Sequence, residues 1–245
     1  MTATPEQKVV LVTGASSGIG AATARTLAAA GHHVILTARR TDRIKALAAE
    51  LTADGHVAEA RPLDVTDRAG FHGVAEEVVG SYGRLDVLVG NAGVMLLSRL
   101  DALLVEEWDR MLDVNVRGLL NGIAATLPIF RRQEGGHFVT VASIGAHQVV
   151  ETSAVYSATK YAAWALTEGL RLESEPGIRV TTISPGVVDT ELADHITDPL
   201  AVEAMRTYRA VSIRPEDVAN AIAYAVAQPS GVDVNEIILR PSAQR

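Results

Sequence analysis

Tyr156 and Lys160 are the two residues whose types and spacing most directly suggest chemistry in this chain. They stand four positions apart in the run Tyr-Ser-Ala-Thr-Lys, and on a helix this spacing places both side chains on one face. A free tyrosine has a pKa of about 10, and a neighbouring ammonium favours the phenolate and lowers that pKa. The pair therefore predicts a general acid/base that works near neutral pH. The same spacing also occurs on solvated helices, so the surrounding elements have to decide between the two interpretations.

Short apolar segments alternate with longer helical patterns along the chain. Strands are predicted at residues 9–12, 34–36, 57–63, 85–89, 138–142, 180–183 and 237–239. Helices are predicted at about residues 19–30, 42–53, 67–81, 106–131, 156–173 and 215–227. Continuously apolar strands separated by helices are typical of a parallel sheet that is covered on both faces. The sequence therefore predicts a single α/β domain over residues 1–245, with a doubly wound parallel sheet of about seven strands.

The composition limits the class of function. A net charge of −7 gives no reason to expect a nucleic-acid partner, and the absence of cysteine excludes disulfides, thiolate metal sites and cysteine nucleophiles. The seven histidines show no spacing typical of metal ligands. The stretch Met1–Lys8 is short and polar, unlike a signal peptide, and no segment reaches the roughly 20 apolar residues of a membrane span. A cytoplasmic protein without a metal site is therefore expected.

A glycine-rich turn connects the first predicted strand to the first predicted helix. Residues 13–20 read Thr-Gly-Ala-Ser-Ser-Gly-Ile-Gly. Glycines permit a tight turn and let the backbone approach a pyrophosphate, and the N-terminus of the following helix offers free N–H groups and a positive dipole. The spacing G-x-x-x-G-x-G differs from the common G-x-G-x-x-G fingerprint. Its position directly after the first strand nevertheless predicts a dinucleotide site.

These features resemble those of the classical short-chain dehydrogenase/reductase family over essentially the whole chain. The family's markers occur in order: the turn at 13–20, Asp64-Val65, Asn91-Ala92-Gly93, Asn115, Ser143, Tyr156 with Lys160, and Pro185-Gly186. The resemblance implies a Rossmann fold, with a cofactor half at about residues 1–142 and a catalytic and substrate-loop half at about residues 143–245. One departure is Gly90, which stands where the family usually has an asparagine.

The resemblance also implies roles for four residues. Ser143, just beyond the strand at 138–142, would bind the substrate oxygen, and Tyr156 would give a proton to a carbonyl or take one from an alcohol. Lys160 would favour the phenolate and bind the nicotinamide ribose. Asn115 would lie at a backbone distortion that holds a water linked to Lys160. The cofactor would carry the hydride, so the protein would contribute orientation and proton control.

The end of the second strand indicates which nicotinamide cofactor is used. NAD-binding folds usually end that strand with an acid, whereas an arginine can receive the 2′-phosphate of NADP. Here the strand ends at Arg39 and Arg40, so we predict NADP(H), with Arg39 as the main contact and Arg40 as a secondary one. The full set of expected cofactor contacts is Gly14, Ser16, Ser17, Gly18, Ile19, Gly20, Arg39, Arg40, Asp64, Val65, Asn91, Ala92, Gly93, Tyr156, Lys160, Pro185, Gly186, Val188 and Thr190.

A largely apolar substrate pocket is expected beside the catalytic residues, with a substrate loop over about residues 187–213. The side chains expected to line the pocket are Ser143, Ile144, Val149, Val150 and Tyr156. His147 and Glu151 are expected at its rim. The closing segment at 234–241 resembles that of NADP-dependent enzymes that act on hydroxy acids and ketones, among them clavulanate-type dehydrogenases.

Three functions fit these residues, and we predict the first. It is an NADPH-dependent carbonyl reductase or alcohol dehydrogenase acting on a small-molecule ketone or alcohol. The second is a 3-oxoacyl-[acyl-carrier-protein] reductase, whose partner requires a basic patch that the scattered Arg99, Arg110, Arg131 and Arg132 do not predict. The third is a non-catalytic NADP-binding sensor, which has no need for proton-transfer residues. The resemblance also implies a homo-oligomer, a dimer or a homotetramer, formed through the helical regions at 108–130 and 156–172.

Overall fold

Runs of buried Val, Ile and Leu form the strands, which pair into one sheet. Within residues 7–244, which the computed structural model of the chain describes, the strands are β1 (Val9–Thr13), β2 (His33–Ala38), β3 (Ala58–Pro62), β4 (Val87–Gly90), β5 (Gly136–Val141), β6 (Ile178–Pro185) and β7 (Glu236–Leu239). All neighbours are parallel, in the order β3-β2-β1-β4-β5-β6-β7. Residues 1–6 and 245 of the predicted domain, and with them most of the stretch Met1–Lys8, lie outside the described residues.

Helices connect the strands and cover both faces of the sheet. They are α1 (Gly18–Ala29), α2 (Thr41–Ala53), α3 (Arg68–Tyr82), α4 (Val105–Leu112), α5 (Gly118–Arg132), α6 (Ala154–Glu173), α7 (Pro199–Tyr208) and α8 (Pro215–Val226). Successive strand residues point to opposite faces, so Val10 and Val12 pack in the same core cluster as α1, α2 and α8. Val9 and Leu11 pack instead with α3 and α5. The predicted fold, a single-domain α/β Rossmann fold, is confirmed.

Several helix ends agree with the signals in the sequence. Asp67 caps α3 by accepting a hydrogen bond from the Gly70 N–H at 3.0 Å. Gly31, just after α1, has φ +88°, a left-handed conformation that glycine adopts readily. Pro215 is the first residue of α8, where its missing N–H costs nothing.

Two helical regions differ from the prediction. The pattern at 106–131 predicts one continuous helix, but the structure inserts a π-helical turn, Asp113–Arg117, between α4 and α5. The predicted loop at 187–213 contains α7. This helix carries a start signal that could have identified it, because Asp198 accepts a hydrogen bond from the Ala201 N–H at 2.9 Å and Pro199 follows the cap.

The strand order places a crevice at the carboxyl edge of the sheet. The chain builds β1, β2 and β3 outward on one side and then returns to place β4 on the other side of β1. Connections therefore leave β1 and β4 in opposite directions, which is the position where open α/β sheets bind ligands. Among the helices of residues 7–244, none combines the length and the apolar character that crossing a bilayer requires.

Candidate active site

The carboxyl ends of β1, β4, β5 and β6 border a cleft with a volume of about 430 Å³. Its walls include every predicted cofactor contact except Gly20 and every predicted catalytic residue except Asn115. The fold therefore brings together residues that are spread from Gly14 to Thr190 in the sequence.

The glycine turn after β1 requires glycine for steric reasons. Gly14 has φ +67°, and a Cβ on it would lie 2.9 Å from the Cα of Ala92. A Cβ on Gly20 would collide with the Gly14 carbonyl oxygen. Gly20 thus lies behind the turn and packs α1 against it, while Gly14 and Gly18 line the cleft. Ser17, the residue before α1, supplies no side-chain cap, so it leaves the first N–H groups of the helix available to an anionic ligand.

Hydrogen bonds join the end of β4 to this turn. The Asn91 N–H donates to Thr13 Oγ1 at 2.9 Å, and the Asn91 amide donates to the Thr13 carbonyl at 2.9 Å. Thr13 Oγ1 in turn donates to the Val89 carbonyl at 3.1 Å. These bonds hold Asn91, Ala92 and Gly93 along one wall of the cleft.

Ser143 and Tyr156 meet in the part of the cleft beyond β5. The Gly145 N–H donates to Ser143 Oγ at 3.0 Å, and the Ser143 side chain lies close enough to the Tyr156 phenol to affect its pKa. Lys160 lies one turn further along α6, with Nζ 5.9 Å from the centre of the Tyr156 ring. Nζ also donates to the Val141 carbonyl at 3.0 Å. The spacing of Tyr156 and Lys160 therefore corresponds to a built cluster and not to a solvated helix face.

Both titratable groups of this cluster are buried, and this changes their protonation. Burial raises the pKa of Tyr156 to about 12, although the neighbouring Ser143 side chain acts in the opposite direction. Burial also lowers the pKa of Lys160 to about 8. The expectation that the ammonium lowers the pKa of the tyrosine is therefore wrong for the chain by itself, because the loss of water around the phenol outweighs any effect of the lysine.

Asn115 lies inside the π-helical turn and binds across to the β4 side of the site. Its Oδ1 accepts from the Val94 N–H at 2.8 Å, and its Nδ2 donates to the Val94 carbonyl at 2.9 Å and to Thr159 Oγ1 at 3.0 Å. A second cavity of about 20 Å³ adjoins Asn115, Val141 and Lys160. That volume is enough for about one water molecule.

Basic and acidic side chains mark the other end of the cleft, near β2 and β3. Arg39, Arg40, Asp64 and Val65 all line it, as expected. Burial opposes the charge of Asp64, but hydrogen bonds from Thr66 and the charge of Arg39 together lower the pKa of this carboxyl. The site thus presents cationic groups where a nucleotide phosphate would lie, and it fits a dinucleotide with one end at Arg39 and the other at Tyr156.

The segment after β6 forms another wall of the cleft. Pro185, Gly186, Val188 and Thr190 line it. Thr190 Oγ1 accepts from the Leu192 N–H at 3.3 Å and so starts a short 3-10 turn, Glu191–His195. The predicted contacts in this segment therefore lie at the cleft.

The expected substrate residues divide into two groups. Ile144 and Val150 line the cleft with Ser143 and Tyr156, whereas Val149 does not. The Val149 side chain is 60% exposed because the loop after the Ile144–Ala146 turn directs it outward. Val149 thus does not line the cleft in this structure, and its contact with substrate stays a prediction.

His147 and Glu151 also bind away from the cleft. His147 Nε2 lies 2.8 Å from Glu236 Oε1 and 3.3 Å from Ser184 Oγ, while Glu151 pairs with Arg99 at 2.5 Å. Neither side chain is available as a direct substrate contact in this arrangement.

Sequence reasoning missed Gln148 and Arg209, which both line the cleft. Arg209 donates to the Thr190 carbonyl at 3.0 Å and pairs with Asp189 and Asp194, each at 3.2 Å. It thereby ties the end of α7 to the segment after β6. Recognising α7 from its start signal would have drawn attention to this arginine.

Comparisons with known proteins agree with this geometry. A family model described as short chain dehydrogenase matches residues 8–201. An uncharacterized oxidoreductase from Staphylococcus saprophyticus is 42% identical over 242 residues, covering 98% of each chain. The alcohol dehydrogenase from the archaeon Thermococcus sibiricus, solved with 5-hydroxy-NADP, has a TM-score of 0.88 at 32% identity and covers 98% of this chain and 99% of its own. The closed form of a serine dehydrogenase with NADP+ has a TM-score of 0.87 at 31% identity, with 94% of both chains covered. The protein therefore belongs to the short-chain dehydrogenase/reductase family and is an oxidoreductase of that family.

Proposed function

We propose that this protein is an NADP(H)-dependent carbonyl reductase or alcohol dehydrogenase in which Tyr156 is the general acid/base. The observation that carries the proposal is the placement of the Tyr156 and Ser143 side chains together in the cleft beside Lys160. A hydroxyl pair of this kind can hold a carbonyl oxygen and protonate it. The alcohol dehydrogenase and the serine dehydrogenase described above support the same class of reaction.

The residues of the chain supply proton control and orientation, and a bound nicotinamide cofactor would supply or accept the hydride. Ser143 would hold the substrate oxygen while the Tyr156 hydroxyl donates its proton to it. The raised pKa of Tyr156 keeps this group protonated at neutral pH, which is the form needed for reduction. After the transfer, the nearby Lys160 ammonium would stabilise the phenolate.

Lys160 is also placed to return a proton to Tyr156. Its pKa of about 8 lies close to neutral pH, so it can both hold and release a proton under ordinary conditions. The small cavity beside Asn115 and Lys160 is large enough for a water that would connect the ammonium to solvent. We therefore assign Asn115 to the support of this path and not to contact with substrate.

The preference for NADP(H) rests on the basic end of the cleft. Arg39 lines the cleft and has no acidic partner within ion-pair distance among residues 7–244. Its planar guanidinium matches a phosphate with two parallel donors. The two solved relatives named above hold NADP or a derivative of it, which supports the same preference.

Replacement of Arg39 tests this preference. We expect Arg39→Asp to lower the NADPH-over-NADH ratio of kcat/KM by about tenfold or more, because it removes a phosphate donor and adds an acid that can bind a ribose 2′-hydroxyl. Steady-state kinetics with both cofactors and one active substrate measure the ratio. An unchanged ratio would show that Arg39 is only a solvated loop residue.

Replacement of Tyr156 tests the proton-transfer role. NADPH consumption is first measured with a panel of ketones, 3-oxo esters, hydroxy acids and an acyl-carrier thioester. With any substrate that is turned over, Tyr156→Phe should reduce kcat by about a thousandfold, while NADPH binding measured by fluorescence stays within a few-fold. Substantial turnover by Tyr156→Phe would exclude Tyr156 as the acid, and no turnover by the wild type would favour the sensor function.

The same panel separates the acyl-carrier reductase from the proposed function. Arg99, Arg131 and Arg132 are each paired with an acid, namely Glu151, Glu175 and Glu76, and this argues against an exposed basic patch for an acidic carrier protein. Turnover confined to the acyl-carrier thioester would overturn that argument. We also propose a cytoplasmic location, assembly as a homotetramer, and a division into a cofactor half and a catalytic half near residue 142.

A further inference from the structure

An acidic side chain of this protein occupies the cationic end of its own cleft. Glu191 pairs through Oε2 with Arg40 at 2.7 Å and through Oε1 with Arg43, also at 2.7 Å. Both pairs are partly exposed, with side-chain exposures of 43 to 50%. One carboxylate is thus shared by two guanidinium groups.

Arg40 also contacts the glycine turn. Its Nε donates to Ser16 Oγ at 3.0 Å, and its terminal nitrogen donates to Ser17 Oγ at 2.5 Å. The contacts join three segments at the cleft: the turn after β1, the start of α2 and the 3-10 turn after β6. Ser16, Ser17, Arg40 and Glu191 all line the cleft.

The donor groups of this cluster are those that bind phosphate. Two guanidinium groups and two hydroxyls offer charge-assisted and neutral hydrogen bonds to a multidentate anion. A carboxylate and a phosphate oxygen compete for the same donors. The hydrogen bonds from Arg40 and then those from Arg43 lower the pKa of Glu191 to about 2, so the competing carboxylate is ionised at neutral pH.

We propose that Glu191 is a specificity-determining residue that competes with a nucleotide phosphate for Arg40 and Arg43 and thereby weakens binding of the phosphorylated cofactor. The inference rests on the proposed function in one respect, since it takes a phosphorylated adenine nucleotide as the ligand of the cleft. Among residues 7–244, no acidic side chain forms an ion pair with Arg39 as Glu191 does with Arg40 and Arg43, so Arg39 keeps its donors for the ligand. Arg40 becomes available only when Glu191 releases it.

The direction in which ligand affinity changes when Glu191 loses its charge distinguishes competition from the opposite role. If Glu191 competes, removing its charge frees two cations and removes a repulsion, so a phosphorylated ligand binds more tightly. If the Arg40–Glu191 pair instead retains the ligand as a strap across the cleft, removing the charge weakens binding.

The test measures calorimetric binding of adenosine 2′,5′-bisphosphate and of ADP to the wild type and to Glu191→Gln. We expect Glu191→Gln to tighten at least one ligand by about two- to fivefold, the size of effect that an exposed ion pair carries. Tightening of the bisphosphate alone identifies the 2′-phosphate as the group that displaces Glu191, and tightening of both ligands identifies the 5′-phosphates. The gain should shrink in 0.5 M salt, which screens exposed charges.

Two controls make the result specific. Within the described part of the chain, Glu203 pairs with Arg206 alone, on the surface of α7, so Glu203→Gln should leave both affinities unchanged. In an Arg40→Gln, Arg43→Gln background, the additional Glu191→Gln change should alter affinity by less than about twofold. Unchanged or weaker binding by Glu191→Gln, or equal tightening in the double-arginine background, would overturn the proposal. The proposed cofactor preference is judged separately, from whether the wild type binds the bisphosphate more tightly than ADP.

Discussion

Lys160 is a buried cation, and its burial lowers the stability of the folded chain. The proposed function uses the same residue in proton transfer. Its side chain is 7% exposed, and the Val141 carbonyl, a neutral acceptor, is its hydrogen-bond partner. Burial of a charge without an acidic partner disfavours the folded state. A functional site commonly breaks a rule of core packing in this way.

Lys160→Met therefore should stabilise the cofactor-free protein while abolishing turnover. Because the pKa of Lys160 falls from 10.5 unfolded to about 8 folded, the unfolded chain binds more protons between these values, and wild-type stability rises with pH across that window. Below pH 8 the whole cost of the charge is present. We expect the variant to unfold with a free energy higher by on the order of 1–3 kcal/mol at pH 7.

Urea unfolding of both proteins at pH 7 and pH 9.5 measures this effect. The advantage of Lys160→Met should be smaller at pH 9.5, where the folded wild type has already lost the proton. A variant that is less stable at pH 7, or an advantage that does not change with pH, would show that Lys160 is neutral or well solvated in the folded chain.

At the scale of elements, Thr159 connects the π-helical turn to α6. Its hydroxyl accepts from Asn115 Nδ2 at 3.0 Å and donates to the Tyr156 carbonyl at 2.7 Å, and the residue is fully buried. Since Asn115 also binds both backbone groups of Val94, one network joins the loop after β4, the π turn and the helix that carries Tyr156. We therefore propose that Thr159 positions Tyr156 and Asn115 in the proposed reacting cluster.

Removing this hydroxyl should disturb catalysis more than cofactor binding. We expect Thr159→Val to lower kcat by about tenfold or more, because small displacements of reacting groups are costly, and to lower stability by about 1–3 kcal/mol, because it leaves the Asn115 amide with one partner fewer. Thr159→Ser, which keeps the hydroxyl, should restore kcat to within about threefold. Steady-state kinetics measure kcat, and urea unfolding measures the free energy of unfolding. Loss of stability with an unchanged kcat would contradict the positioning role.

The same elements show what local sequence patterns can and cannot predict. The strands and the glycine turn depend on neighbouring residues, and the sequence predicts them closely. The π turn depends on Asn115 reaching Val94, a contact 21 positions away, and a helical period gives no sign of it. Local sequence patterns also do not reveal how deeply a single side chain is buried. The raised pKa of Tyr156 and the exposure of Val149 are therefore known only from the packed structure.

At the scale of the whole molecule, the helices expected to pair subunits leave apolar side chains uncovered. Leu112 on α4, Leu120 on α5, and Tyr161 and Leu172 on α6 are 47, 43, 40 and 69% exposed. Single exposed apolar residues are normal on protein surfaces, but several on the helices expected to pair subunits favour the proposed interface. The order of the strands and the connections between them do not determine the number of subunits. The proposed homotetramer therefore has to be tested by measuring the mass of the protein in solution.

A charge placed on this surface should dissociate the assembly. We expect the wild type to sediment at four times the 25.9 kDa mass of the chain, and Leu120→Glu to shift it toward smaller species, because burying an unpaired carboxylate in an interface is costly. Val57, before β3, is 44% exposed and matches the 43% exposure of Leu120, so Val57→Glu serves as the control and should leave sedimentation unchanged. Analytical ultracentrifugation over a range of concentrations measures the masses. A monomeric wild type, or a Leu120→Glu variant that sediments like the wild type, would show that these helices face solvent.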